Sequence, residues 1–318
     1  MMNIAAILRM ARRPSPTPEL PQTLEQIPGA TPGCYAMVLG DEDYHRKAPG
    51  VSSTGLKRLL RSPAHYQAYL QEPKNDTASQ RLGRAIHAWV LEQGTFDERF
   101  AVWRGGHRRG KVYEDFAHAN SGRTVLSEQE MRQVQGAGHA LLNNSAFPMR
   151  GFLEGVRDDQ GAFQVEPART EFSIFWTDEE TGVQCKVRLD ALRLAAPVLA
   201  LDIKSTDDAR PHAFTRQMIQ LDYDLQAAFY VEGVRRFTGC ECPFLFAAVE
   251  VDPPYGVVFY GMSPQHDLMV NGRRKFSHAL RLKAQCDRTG QYPGYEISSV
   301  LEPQMAPWMA FEPPALAA

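Results

Sequence analysis

The sequence predicts an α/β fold: a mixed central sheet flanked by helices, with an N-terminal helical block ahead of it. Three features carry that expectation. Apolar residues recur at helical spacing between about residues 52 and 94. From Ala162 to Met262 the main pattern is period-two alternation, in which successive side chains of a strand turn to opposite faces. A helical stretch interrupts those strands, and the order helix, three strands, helix, two strands is that of one layered domain. Composition agrees. The chain has 318 residues, 43% hydrophobic and 23% charged, enough for a substantial core. A net charge of −2 excludes a polycation that binds by its overall field, so any contact with a polyanion must come from a local basic cleft.

Taken in order, residues 1–50 read as a Pro-rich arm or linker. Pro14, Pro16, Pro18, Pro21, Pro28 and Pro32 break any helix there. Structure begins near Val51. Ser52 and Ser53 suit N-caps for a helix through Leu56, Leu59 and Leu60, and Pro63 opens a second helix carrying Tyr66, Tyr69 and Leu70. A third helix runs from about Ser79 to Glu92. Leu82, Ile86, Trp89 and Val90 recur on it at helical spacing, and Gly83 and His87, four apart, share a face. Phe100–Trp103 reads as a short strand. After it, Arg104, His107, Arg108, Arg109 and Lys111 form the densest basic stretch, either a solvated loop or one that touches nucleic-acid phosphate. Ser127 with Glu130 is a capping box for a helix to about Asn143.

The strands follow. Arg169–Trp176 alternates, placing Glu171, Ser173 and Phe175 on one face. A turn at Asp178, Glu179 and Gly182 leads to the Lys186 strand, and Ala195, Ala196 and Pro197 connect it to an apolar run ending in Asp202-Ile203-Lys204. A helical region extends from Pro211 to about Phe237. Two more strands, Phe244–Val251 and Gly256–Met262, precede a helix capped by Ser263, with Pro264 in its first position, that runs to about Asp287. Residues 288–318 read as a Pro-rich tail. No apolar run approaches the roughly 18 residues of a membrane span. The five cysteines are odd in number and scattered, which argues against a disulfide framework and suits a reducing cytoplasm.

The chemistry concentrates on two of these strands. Lys186, Arg188 and Asp190 share one strand face, while Val187 and Leu189 take the other. On the next strand Asp202 and Lys204 point the same way and Ile203 returns to the core. Two carboxylates at the ends of neighbouring strands, with a lysine beside them, suit a hard divalent cation, and the lysine can orient or deprotonate a water. A surface cluster of salt bridges is the plainer reading of Asp-x-Lys alone.

Four separated elements then line up: Gly83-x-x-x-His87, Asp190, Asp202-x-Lys204 and Gln226-x-x-x-Tyr230. Together they resemble the PD-(D/E)XK nuclease superfamily, in its RecB-like branch, and most of all the C-terminal nuclease domain of RecE (exodeoxyribonuclease VIII). Val51–Leu56, Ser62–Tyr66, Leu82–His87 and Tyr223–Tyr230 carry the likeness, which covers residues 51–287. The resemblance implies a restriction-endonuclease-like core. His87, Asp190, Asp202 and the backbone carbonyl of Ile203 would hold Mg²⁺, for which Mn²⁺ substitutes. Lys204 would stand beside the attacking water, Gln226 and Tyr230 would support the site and face the DNA, and Glu171 would supply a further acidic group. Lys186 and Arg188, on the face of Asp190, are candidate phosphate contacts, as are Arg104, Arg108, Arg109 and Lys111.

The implied activity is that of a cytoplasmic, bacterial or phage-encoded exonuclease acting on duplex DNA ends in recombination. The implied partners are a single-strand annealing protein of RecT type and further copies of the chain in a ring. Two alternatives stay open: an endonuclease of the same superfamily, and a non-catalytic DNA-binding protein on a nuclease fold. Some relatives hold an iron–sulfur cluster with one early and three late cysteines. Here Cys240 and Cys242 are one residue apart and Cys286 stands alone, so no cluster is expected.

Overall fold

The computed structural model describes residues 34–40, 42–71, 76–295 and 299–303. The chain runs β1 (Cys34–Val38), α1 (Ser53–Arg61), α2 (Pro63–Gln71), α3 (Ala78–Leu91), α4 (Phe96–Arg99), β2 (Phe100–Trp103), α5 (Lys111–Ala119), β3 (Thr124–Ser127), α6 (Glu128–Leu142) and α7 (Met149–Glu154). It continues through β4 (Val156–Arg157), β5 (Phe163–Val165), β6 (Arg169–Thr177), β7 (Gln184–Arg193), β8 (Leu199–Thr206), α8 (Pro211–Gln220), α9 (Tyr223–Thr238), β9 (Phe244–Glu250), β10 (Val257–Met262) and α10 (Asp267–Thr289). A six-stranded sheet in the order β1-β6-β7-β8-β9-β10 forms the centre. Its neighbours pair antiparallel except β8 and β9, which are parallel, so the sheet is mixed and flanked by helices, as the sequence predicts.

Alternation explains the two faces. Phe172, Ile174 and Trp176 of β6 and Cys185, Val187 and Leu189 of β7 turn to one side, where Leu56, Phe214, Phe229 and Phe276 meet them. Leu199, Leu201 and Ile203 of β8 and Leu245, Ala247 and Val249 of β9 turn to the other, against Leu82, Ile86, Val134 and Phe152. Each fully buried phenylalanine contributes about 1.5–3 kcal/mol to these layers. The predicted helical block is therefore divided. α1 and α2 pack on the first face, and α3 packs on the second.

Local signals hold well at several termini. Ser52 accepts from Gly55 N–H at the start of α1, and the Ser127–Glu130 capping box forms at the start of α6. Elsewhere the structure differs. Residues 34–50, assigned to the arm, contain β1, which pairs with β6, and a π-helical turn over Asp43–Lys47. Packing supplies what composition hid: Ala36, Met37 and Tyr44 are buried. The region from Pro211 to Phe237 is two helices, because Asp222 takes a left-handed conformation (φ 50°) between them. Ser263 does not cap the last helix. Its carbonyl closes a turn with His266 N–H, and His266 caps Leu268 instead. The arm over residues 1–33 and the tail over 304–318 lie outside the described residues. Among the described residues no helix is long and apolar enough to cross a membrane.

Candidate active site

The site lies where β7 and β8 part. Their pairing is confined to Ala191–Arg193 against Leu199–Leu201. The next rung would set Asp190 opposite Asp202, and there the strands separate. Beyond that point Ile203 has no β7 backbone to bond. A buried peptide group must still find partners. Asp190 Oδ2 accepts from Ile203 N–H at 2.7 Å, and His87 Nε2 lies 2.9 Å from the Ile203 carbonyl oxygen. His87 Nδ1 is 3.3 Å from Asp190 Oδ2. Side chains from β7 and α3 thus meet at the two peptide groups that flank Ile203 on β8.

His87 reaches it because α3 runs close over β8. A Cβ at Gly83 would come within 3.0 Å of Ser205 Oγ, so the glycine one turn before His87 permits the approach. From the other face, Gln226 of α9 donates Nε2 to Asp202 Oδ1 at 2.7 Å. Lys204 Nζ stands 2.6 Å from Asp202 Oδ2. That ion pair occupies Asp202 Oδ2, so both oxygens of the buried carboxylate are engaged, one by Gln226 and one by Lys204. Tyr230, half-buried, lies near Ser53, Asp202 and Asp190, and burial holds its hydroxyl well above the usual tyrosine range.

Glu171 completes the group. The β6–β7 ladder pairs Thr170 with Ala191 and Phe172 with Leu189, skipping the rung where Glu171 faces Asp190. Glu171 adopts φ 49°, a left-handed value rare for a residue with a side chain. Ligand atoms of His87, Glu171 and Asp190 all lie within 4.8 Å of one another, an arrangement that fits a metal ion. The sequence holds Glu171 as a supporting acid; the structure brings it among the potential ligands.

The charges here are unbalanced. Burial first, and then the Asp202 carboxylate, push Asp190 well above the usual carboxylate range against the pull of Lys204. Burial raises Glu171 to about 7, with Arg188 opposing and Asp190 adding. Burial lowers His87. For Lys204 burial favours the neutral amine, but Asp202, Tyr223 and Asp190 outweigh it and the ammonium is strengthened. Asp190, Asp202 and Glu171 thus lie together, with Lys204 paired to Asp202 and Arg188 to Glu171.

The outer residues are less uniform. Lys186 is buried, and its Nζ donates to the Tyr44 and Ala48 carbonyls at 2.8 and 2.7 Å. This corrects the expectation that it meets phosphate: the segment taken for an arm covers that part of β7. Arg188 Nε is 2.9 Å from Glu171 and its guanidinium lies over Tyr44, so it steadies the acid. Arg108 pairs with Glu130, which also binds Arg81 of α3. Glu130 lines a cleft of about 230 Å³ with Ser79, Leu82, Ser205 and Thr206, just past Lys204. Arg104, Arg109 and Lys111 are exposed. Sequence reasoning missed Lys57 of α1, which reaches Gln226 Oε1 at 3.5 Å. Only the packing of α1 against α9 reveals it.

Residues 52–300 match a family described as a PDDEXK-like domain of unknown function (DUF3799). No curated protein matches the chain. Among solved structures, a protein from Eubacterium rectale named as a putative exonuclease is similar in fold. It is 15% identical over 85% of this chain and 97% of its own, with a TM-score of 0.50. The structure of SSO0001 is 12% identical over 75% of this chain and 85% of its own; its TM-score of 0.28 carries no weight.

Proposed function

The chain belongs to this PDDEXK-like family, and on that premise we propose that it is a metal-dependent DNA exonuclease that hydrolyses phosphodiester bonds from duplex ends. One observation carries the reading. At the β7–β8 fork Asp190 and His87 contact the backbone of Ile203, the Asp202–Lys204 pair flanks it, and ligand atoms of His87, Glu171 and Asp190 lie within 4.8 Å of one another. Carboxyl groups buried this close together are costly to ionise unless something positive sits among them. The donor set fits Mg²⁺ or Mn²⁺: His87, Asp190 and Glu171 stand close enough to share an ion, and Asp202 and the Ile203 carbonyl, beside them, would complete its shell as the family resemblance implies. When bound, the ion supplies charge neutralisation at phosphate and a more acidic water.

The remaining work belongs to the side chains. Lys204 keeps its proton at neutral pH because Asp202 strengthens the ammonium. It therefore acts as a donor that orients the attacking water, and proton abstraction falls to another group. Gln226 fixes one Asp202 oxygen and Lys204 the other. Arg188 holds Glu171 in place. Arg104 and Arg109, on the loop that Arg108 ties to Glu130, and Lys111 at the start of α5 are suited to guide the DNA backbone toward the fork.

Preference for ends over internal sites rests on the RecE resemblance of residues 51–287. The test uses linear and covalently closed duplex of the same sequence, with Mg²⁺ and with chelator. Linear DNA should be shortened, closed circles should survive, and chelator should stop the reaction. Linearisation of circles at a comparable rate would replace the exonuclease reading with an endonuclease.

A further inference from the structure

One cation at the cleft has no part in the chemistry above. Lys57 Nζ lies 3.5 Å from Gln226 Oε1, the long end of hydrogen bonding, and 5.0 Å from the centre of the Tyr223 ring. Lys204 Nζ lies 4.7 Å from the same ring. Lys204 is paired with Asp202, Arg188 with Glu171, and Lys275 with Asp222 and Asp224. Among the described residues Lys57 forms no ion pair of this kind, although it is half-buried. A lysine placed only for packing lays its stem on apolar surface and turns its head to water. This one points its head to the amide that grips Asp202.

We propose that Lys57 is a substrate-binding residue whose ammonium holds a backbone phosphate of the DNA strand next to the scissile one. The inference rests on the nuclease reading and adds a subsite to it. Gln226 sets the spacing: its Nε2 donates to Asp202 and its Oε1 accepts from Lys57, so one side-chain amide separates the hydrolytic centre from the second anion position. Electrostatics agree. Burial, and then the Lys204 charge, lower Lys57 to about 7, a strained state that a phosphate oxyanion relieves. Placement agrees too. α1 approaches from one face of the sheet and α3 from the other, so Lys57 and His87 stand on opposite banks of the cleft.

The test compares wild type with Lys57→Met and Lys57→Arg. Binding of a short labelled linear duplex is followed by anisotropy with Ca²⁺ in place of Mg²⁺, over a range of salt, and KM is measured with Mg²⁺. Lys57→Met should bind on the order of tenfold more weakly, the loss expected for one charge-assisted contact. Its log–log salt slope should fall by about one. KM should rise in step, and Lys57→Arg should recover most of the affinity because it keeps the charge. Should Lys57→Met fail to fold, Lys57→Gln, which keeps a polar tip, reads the same slope. A folded Lys57→Met or Lys57→Gln with wild-type affinity and slope overturns the subsite and leaves the nuclease reading intact. A wild-type protein that neither binds nor cuts DNA overturns both.

Discussion

Ionising Asp190 carries a cost. It is buried beside Asp202, and both effects favour its protonated form. Asp190→Asn should therefore abolish cleavage while the melting temperature of the metal-free protein holds or rises, a trade common at functional sites. A melting temperature lowered by many degrees would show that the carboxylate is structural. Glu171 gives a pH signature. Its folded value, about 7, lies above the ordinary 4.5, so the folded state binds the proton more tightly than the unfolded one between those values. Stability of the metal-free protein should fall as pH rises from about 4.5 to 7, by an amount on the order of a few kcal/mol. Thermal melts of Glu171→Gln should be flatter over that window; an unchanged profile would assign the pH dependence elsewhere. Lys204→Ala should slow cleavage by roughly 10²–10³-fold, the cost of losing one preorganised donor at the reacting water, with a smaller change in metal affinity by calorimetry. Much of this chemistry was legible at the residue scale, because Asp-x-Lys on a strand fixes two side chains to one face whatever the fold. Glu171 was harder to place, since its position depends on a skipped rung and a left-handed backbone. Lys186 misled because its face of β7 is covered by a segment that composition assigned to a linker.

Helices act here by how closely they approach. Gly83 lets α3 sit on β8, and Gly83→Ala would bring a Cβ to 3.0 Å from Ser205 Oγ. It should move His87 off the Ile203 carbonyl and lower metal affinity and activity together, and Ser205→Ala should restore much of both. Failure of that rescue would mean the glycine serves another purpose. Gly272 is stricter: a Cβ there would lie 2.0 Å from the Asp224 carbonyl oxygen of α9, which is backbone and cannot step aside. Gly272→Ala should force α9 and α10 apart and cost about 1–3 kcal/mol or more in a denaturant melt. Caps and periodicity predicted α1, α3 and α6 nearly to the residue, since those signals are local. The break between α8 and α9 was not visible, because Asp222 is held left-handed where Lys275 of α10 binds it. That is a tertiary contact no local pattern records.

At the scale of the whole molecule the sheet is an organiser of approach. Helices from both faces deliver side chains to a single gap between two strands. The sequence block at 52–94 reads as one unit, yet it is divided between the faces, and this division places His87 and Lys57 on either side of the fork. The motif order was legible because it follows the chain; the convergence was not, because it is made by packing. The claim that joins these scales is that the fork is a metal-dependent hydrolytic centre. One measurement tests it most directly: cleavage of an end-labelled linear duplex against Mg²⁺ concentration, for wild type and Asp202→Asn side by side. Saturable, chelator-sensitive cleavage by wild type and none by Asp202→Asn is the predicted result. Equal cleavage by the two proteins, or cleavage indifferent to Mg²⁺ and chelator, would contradict it.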